Sequence, residues 1–250
     1  MYQHERMDEI LKIVKENHYV TVDYLVKEIK YSPASIRRDL TFLERQGLVT
    51  RSYGGVTYKD PQISPYRFRQ HSMKIAKNAI ARLAASLVKN GDVIFIDGSS
   101  TTQYMGRYLT EKNGITVLTC NMMLADFLSE HGVTTYCTGG MIVEHPGILG
   151  GPLALEMLSR FNIDLAFFSS TAFDTSGRIL SHGERGVQGI RSYREHSKAL
   201  AYLCGSDKFG AEAKFSALTL DEVDHFISDA EIPKELREKY KNTVFQSTIE

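Results

Sequence analysis

Near the start of the chain, apolar residues return on a helical period. Met7, Ile10, Leu11 and Val14, and then Val22, Leu25, Val26 and Ile29, fall at i, i+3, i+4 and i+7, the one-sided stripe of two short amphipathic helices with Asn17-His18 in the break between them. Thr21 is the expected N-cap of the second helix, and Ser32-Pro33 reads as the N-cap and first helical position of a third. At about 100° per residue, that third helix carries Ile36, Leu40 and Leu43 on one side. Ala34, Arg38, Thr41 and Arg45 lie opposite, and Arg37 is at the flank. After Gly47 the run LVTRSYGGVTY alternates apolar and polar across Gly54-Gly55, as a small hairpin does. Three helices followed by a hairpin predict a winged helix-turn-helix.

From Lys59 to about Gln70, Pro61 and Pro65 interrupt a stretch with neither helical nor strand period, and a linker is expected there. Beyond it the pattern changes. MKIAKNAIARLAASLVKNGD reads as an amphipathic helix ending at Asn90-Gly91, and VIFID as a strand without polar alternation, hence buried on both faces. The alternation then repeats: a helix around Tyr104 to Thr110, strand ITVLT, a helix from Met122, strand VTTYC, a helix around Leu153 to Arg160, and strand DLAFFSS. A helical stretch near Val187 to His196 and strands ALAYLC and HFISD complete it. This predicts an α/β domain with a mostly parallel sheet covered on both faces and ligand groups at the carboxyl ends of its strands.

Composition narrows the picture. A length of 250 residues suits two compact units. The 30 basic and 30 acidic residues give a formal net charge of zero, so any polyanion site is local. That balance argues against an architectural, nonspecific nucleic-acid binder, whose affinity grows with the number of phosphates it neutralises. Cys120, Cys137 and Cys204 are far apart and lie in apolar runs, so no disulfide framework or zinc set, nor any other metal site, is expected. The N-terminal MYQHERMDEI is charged, and nowhere do about 18 apolar residues run together. A cytoplasmic protein with no membrane partner is expected.

Two stretches carry candidate chemistry. An α-helix enters the major groove with its N-terminal half against base edges, which singles out Ala34, Ser35, Arg37 and Arg38. Arg45, Thr50 and Arg51 are better placed for phosphates, and Ser32, Thr41, Tyr53 and Gly54 complete the candidate DNA-contacting set. The second stretch, VIFIDGSSTTQYMGRYL, is a buried strand, a small-residue loop after Asp97, and a helix. Gly98 and the serines let backbone N–H groups approach a ligand, Ser99, Ser100, Thr101 and Thr102 add hydroxyls, and a helix N-terminus adds partial positive charge. Such a loop suits an anion, although a Ser/Thr-rich turn is as often only a capped loop. Asn121 after ITVLT, Gly139-Gly140 after VTTYC, and Ser169-Ser170 with Asp174 after DLAFF are expected to converge on the same crevice.

The segment VTVDYLVKEIKYSPASIRRDLTFLERQGLVTRSYGGV resembles the N-terminal domain of the DeoR family of bacterial transcription regulators. The family signature includes an Ile-Arg-Arg-Asp-Leu run, here Ile36 to Leu40, and a wing ending in Gly-Gly, here Gly54-Gly55; Tyr53 stands where histidine is common. The later part resembles the family's sensor domain, through Asp97-Gly98-Ser99-Ser100-Thr101, Thr119-Cys120-Asn121, Thr138-Gly139-Gly140 and Gly205-Ser206-Asp207-Lys208-Phe209-Gly210. Ser99 occupies the usual glycine position, Cys120 separates Thr119 from Asn121, and Gly205 stands where aspartate is common. The resemblance covers nearly all of the chain. It implies a DNA-binding domain over 1–58, a linker over 59–71, and an effector-sensing α/β domain over 72–250 similar to ribose-phosphate isomerases. It further implies a repressor of a carbohydrate operon, acting as a homodimer or homotetramer on a double-stranded operator. The effector would be a phosphorylated sugar or related metabolite, with Lys208 as its counter-charge, no catalytic residue and no other cofactor.

The same strand ends would also suit a sugar-phosphate isomerase carrying an appended DNA-binding domain, with Asp97, Asp174, Glu184 or Lys208 as base or proton relay. His182 and Glu184 in SHGERG, and His145-Pro146-Gly147 with Gly150-Gly151-Pro152, mark further loops expected near such a pocket.

Overall fold

The computed structural model describes residues 3–17, 19–59 and 65–249. The chain forms two compact units, the first ending at His71 and the second beginning at Ser72.

The first unit runs α1 (Gln3–Asn17), β1 (Tyr19–Thr21), α2 (Val22–Ile29), α3 (Pro33–Arg45), β2 (Val49–Ser52), β3 (Gly55–Tyr58) and α4 (Tyr66–Arg69). His18, in the expected break, lies outside the described residues. The apolar stripes meet in one core, where Ile10, Val14, Leu25, Ile36, Leu40, Leu43 and Val56 are fully buried. The caps form as the residue types predict: Thr21 Oγ1 accepts from Tyr24 N at 3.1 Å and Ser32 Oγ from Ser35 N at 3.2 Å, with Pro33 in the first turn. Lys30 takes left-handed backbone (φ 58°) and returns its N–H to Val26 O, so α2 stops abruptly and the turn into α3 is short.

The hairpin after α3 gains a third strand, because β3 pairs antiparallel with both β2 and β1. β1, three residues long, is too short to show a period. The two wing glycines do different work. Gly54 supplies positive φ (81°) at the turn, whereas a Cβ on Gly55 would stand 2.2 Å from the Tyr19 hydroxyl. The expected linker differs from expectation where it is described. Residues 60–64, with Pro61, lie outside the described residues, but Pro65 leads into α4, and Phe68 packs into the first core with its ring 6.2 Å from Phe42. One helical turn is too short to declare itself by periodicity.

The second unit begins with α5 (Lys74–Ser86), β4 (Val93–Ile96), a 3-10 turn (Thr102–Met105) leading into α6 (Gly106–Leu109), β5 (Thr116–Thr119), α7 (Met122–Glu130) and β6 (Thr134–Cys137). It continues through β7 (Met141–Glu144), β8 (Ile148–Gly150), α8 (Pro152–Leu158), β9 (Ile163–Phe168), β10 (Ala172–Phe173), β11 (Arg178–Ser181) and α9 (Glu184–Glu195). β12 (Ser197–Cys204), β13 (Phe215–Thr219), β14 (His225–Ser228), α10 (Lys234–Lys239) and β15 (Val244–Ser247) complete it. Among the described residues, seven strands form one sheet in the order β15-β14-β12-β9-β4-β5-β6, paired in parallel throughout.

The uninterrupted apolar runs are explained by two cores, one per face. Ile94, Ile96, Leu165, Phe167, Ala201, Leu203 and Ile227 point to the side of α5, α6 and α7, and Phe95, Ala166, Phe168, Leu200, Tyr202 and Phe226 to the side of α8 and α9. Each large side chain buried in this way contributes about 1.5–3 kcal/mol. Because all seven strands run one way, their carboxyl ends, where the candidate residues lie, share one edge.

Several elements were not anticipated. β10, β11 and β13 make a separate antiparallel sheet, and β7 and β8 an antiparallel hairpin around His145-Pro146-Gly147. SHGERG is not an irregular loop: Ser181 ends β11, Gly183 stands at the N-cap of α9 and Glu184 opens its first turn. Among the described residues no helix is long and apolar enough to cross a membrane.

Candidate functional site

The exposed side of α3 is prepared by its buried side. Ile36, Leu40 and Leu43 anchor the helix, and Asp39, fully buried, accepts from Arg6 Nε at 2.5 Å, Arg6 Nη2 at 3.3 Å and Gln3 Nε2 at 3.1 Å. The Asp39 hydrogen bond holds the Arg6 pKa above its ordinary value, and the same guanidinium lies 4.6 Å over the Tyr31 ring. α1, the α2–α3 turn and α3 are thereby pinned together. Ser32, Ala34, Arg37, Arg38 and Arg45 are exposed around the helix start and outer face, with Ser35 half-buried beside the Ser32 cap.

Two members of the expected DNA-contacting set are used internally. Thr41 Oγ1 donates to Arg37 O at 2.8 Å and accepts from Arg51 Nη1 at 2.8 Å, while Glu44 Oε1 accepts from Arg51 N at 3.0 Å. Thr41 and Arg51 therefore lace the wing to α3. Thr50 is exposed on β2, and Tyr53 (106 % exposed) and Gly54 form the wing tip.

In the second unit, Asp97 at the end of β4 organises the loop that follows. Its Oδ1 accepts from Thr102 Oγ1 at 2.7 Å and Ser99 N at 3.0 Å, and its Oδ2 from Ser169 N at 3.1 Å at the end of β9. Burial pushes the Asp97 carboxyl up, and hydrogen bonds from Thr102, Ser169 and Ser99 oppose the shift. Ser99 Oγ in turn accepts from Thr102 N at 3.1 Å. Asp97, Ser99 and Thr102 thus form the frame of the loop. Buried beside them are Ser100 and Thr101, of which Ser100 Oγ accepts from Lys77 Nζ at 3.1 Å.

Sequence reasoning missed Lys77, yet its signal was present. It lies on the stripe of α5 that carries Ile80, Ala81, Ala84 and Ala85, a lysine on a core face.

The remaining candidates divide between side chains at the sheet's carboxyl edge and residues that serve the scaffold. Lys208, in the turn after β12, donates to Ser169 Oγ, which donates to Leu203 O at 2.5 Å. That turn is held by Asp229, which accepts from Ser206 N at 2.6 Å and Ser206 Oγ at 2.9 Å. Asn121 caps α7 by accepting from Met123 N and Leu124 N, and its Nδ2 donates to Gln103 Oε1 at 3.4 Å, tying α7 to the cradle loop.

Gly98 serves packing: a Cβ there would lie 2.4 Å from Ile148 of β8. Gly139 and Gly140 both take positive φ, and a Cβ on Gly140 would lie 2.6 Å from Gly150 O, so the pair brings the β7–β8 hairpin close. The helix after the loop is a 3-10 turn and a four-residue α6, too short to bring the expected macrodipole. Asp174 makes its hydrogen bonds within its own hairpin. It folds the β10–β11 turn, accepting from Ser176 N, Ser176 Oγ and Arg178 N, and pairs with Arg178 Nε at 2.6 Å. Burial would raise its carboxyl, but these donors hold it below the ordinary carboxylate range.

Comparison with known proteins matches a family model to each of the two units. A DeoR-like helix-turn-helix domain model matches residues 6–62, and a DeoR C-terminal sensor domain model matches residues 73–230. The HTH-type transcriptional repressor GlcR of Bacillus subtilis is 31% identical, with 92% of this chain and 89% of that protein aligned. The glycerol-3-phosphate regulon repressor of Escherichia coli is 28% identical, with 93% of each chain aligned. Ribose 5-phosphate isomerase A of Methanocaldococcus jannaschii is 16% identical with a TM-score of 0.41, covering 55% of each chain, a likeness too loose to assign a function.

Proposed function

Because the chain belongs to the DeoR family of transcriptional regulators, we propose that its α3 and wing read a double-stranded operator and that its second unit senses a phosphorylated sugar or related metabolite. One observation carries this reading: Asp97 frames a hydroxyl-bearing loop at the sheet's carboxyl edge, and two lysines reach serines bound up with it, Lys77 at Ser100 and Lys208 at Ser169. The name of one relative, a glycerol-3-phosphate regulon repressor, supports the same chemical class. In this proposal the protein is a cytoplasmic homodimer or homotetramer that represses a carbohydrate operon, with two α3 helices on half-sites one helical turn apart, about 34–36 Å, or a multiple of it.

The commitments of the candidate bases favour a sensor over an enzyme. Asp97 faces three donors of its own frame, Asp174 is bound into a hairpin, and Glu184 is exposed at the start of α9. A general base must reach the proton it abstracts, and these carboxylates serve the scaffold or stand outside it. A sensor requires only that the effector bind one DNA-affinity state better than the other, typically by about 1–3 kcal/mol.

The test is Ser100→Asp, which sets a carboxylate where the effector's anionic group is placed. DNA binding is expected to survive while the effector-induced change, about 5–150-fold for typical couplings, disappears. A response equal to that of the unsubstituted protein would move the ligand to another site.

A further inference from the structure

We propose that a second copy of this chain docks on the edge of the second unit formed by β6, the β7–β8 hairpin and the start of α8, an inference that rests on the proposed reading of an operator by paired chains. β6 ends the order of the seven-stranded sheet, and among the described residues no strand pairs with its outer side. Such an edge is a template for another chain, and proteins that stay single blunt it with charged residues or proline. Here the run VTTYCTGGMIV, from Val133 to Val143, holds neither.

Exposed apolar side chains continue that edge. Tyr136 on β6, Met141, Ile142 and Val143 on β7, and Leu153 in the first turn of α8 are 41–68 % exposed. They are neighbours: a Cβ on Gly140 would stand 3.2 Å from Ala154 Cβ and one on Gly150 2.9 Å from Val143 Cγ1, so the hairpin lies against the start of α8. The Tyr136 ring is 5.1 Å from that of Phe161, just beyond the same helix. Together the five offer roughly 400–500 Å² of apolar surface, in the range where a patch is often functional and over half of the about 800 Å² that one partner buries in a stable interface.

The hairpin is fastened at its base and holds these side chains out. Ile148 is buried against Gly98, Leu149 N donates to Cys120 O at 2.8 Å, and Met122 N donates to Gly147 O at 3.0 Å. Successive residues of a strand point to opposite sides, so three exposed in a row leave both faces of β7 without cover. A second copy suits this surface for two reasons. The hairpin's ionisable residues, Glu144 and His145, lie at its turn end, so the apolar patch can meet its own image across a two-fold axis without like-charge repulsion. An operator of two half-sites also needs two chains related by such an axis. Through Ile148 the surface is joined to the loop that follows β4.

The experiment follows self-association of the full chain by sedimentation velocity and light scattering at about 1–100 µM, without DNA or effector. The parent is expected to associate. Ile142→Asp, a charge on an exposed position, should weaken association tenfold or more, or remove one step of it if the parent is a tetramer, with an unchanged far-ultraviolet circular dichroism spectrum. Leu153→Asp should do the same from α8, which keeps the test valid if Ile142→Asp disturbs the hairpin. Ile142→Lys alone should also dissociate, and an equal mixture of Ile142→Asp and Ile142→Lys should recover part of the association, because opposite charges then face each other across the axis.

A parent that stays monomeric, or folded Ile142→Asp and Leu153→Asp chains that associate as tightly as the parent, overturns the inference. So does a mixture that recovers nothing, since the patch then meets some surface other than itself. Neither DNA nor effector is present, so these outcomes leave the sensor reading to be decided by its own titration.

Discussion

Arg37 and Arg38 sit next to each other on α3, exposed, while Ile36 before them and Asp39 after them are fully buried. That contrast makes them rigidly presented donors, and an arginine that forks onto guanine O6 and N7 is worth about 1–3 kcal/mol of discrimination. Replacing either by alanine is expected to lower operator binding by about that amount while changing random-sequence binding far less. Competition titrations on operator and scrambled DNA check this, and equal losses on both would reassign the pair to phosphate contacts. The exposed face was legible from the helical period alone. The roles of Thr41 and Arg51 were not, because the hydroxyl and guanidinium that meet at 2.8 Å are ten positions apart across a turn. Asp97, Ser99 and Thr102 show a similar limit: the residue types marked the loop, but only geometry separates its frame from the Ser100 that meets Lys77.

At the scale of elements, the reading head depends on α1 being fixed to α3, and the fixing point is the Arg6–Asp39 pair, in which Asp39 is fully buried and Arg6 partly so. Removing one partner of a fully buried ion pair costs about 3–5 kcal/mol, an upper bound here because Arg6 is partly exposed and Gln3 still donates to Asp39. Arg6→Met should therefore destabilise the first unit by about 1–4 kcal/mol in denaturant titrations and weaken DNA binding through lost folded population. A change below about 1 kcal/mol, the range of an exposed pair, would contradict the structural role. Asp39 was visible in the Ile-Arg-Arg-Asp-Leu run, but its partner lies 33 positions earlier and no local pattern joins them. Short elements escaped for a related reason. β10 has two residues and β1 has three, and periods of two or 3.6 cannot be recognised in so few positions.

Across the whole molecule, the switch from helical stripes to unbroken apolar strands announced both an N-terminal reading unit and an α/β unit behind it. The strand order could not be read, because β9 inserts between β4 and β12 through contacts far apart in the chain. Yet the parallel sense of the sheet was enough to gather Asp97, Asn121, Gly139, Ser169 and Lys208 toward one edge, while the hydrogen bonds of Asp174 are spent in the β10–β11 turn. The central claim is that DNA reading in this chain answers to a phosphorylated metabolite. A binding-shift titration of the full chain on DNA from upstream of its own operon tests it most directly, at fixed salt, against phosphorylated sugars and polyols and their unphosphorylated counterparts. The expected result is one phosphorylated compound that changes DNA affinity by about 5–150-fold while its unphosphorylated form does nothing. Specific DNA binding that no phosphorylated compound alters would contradict it.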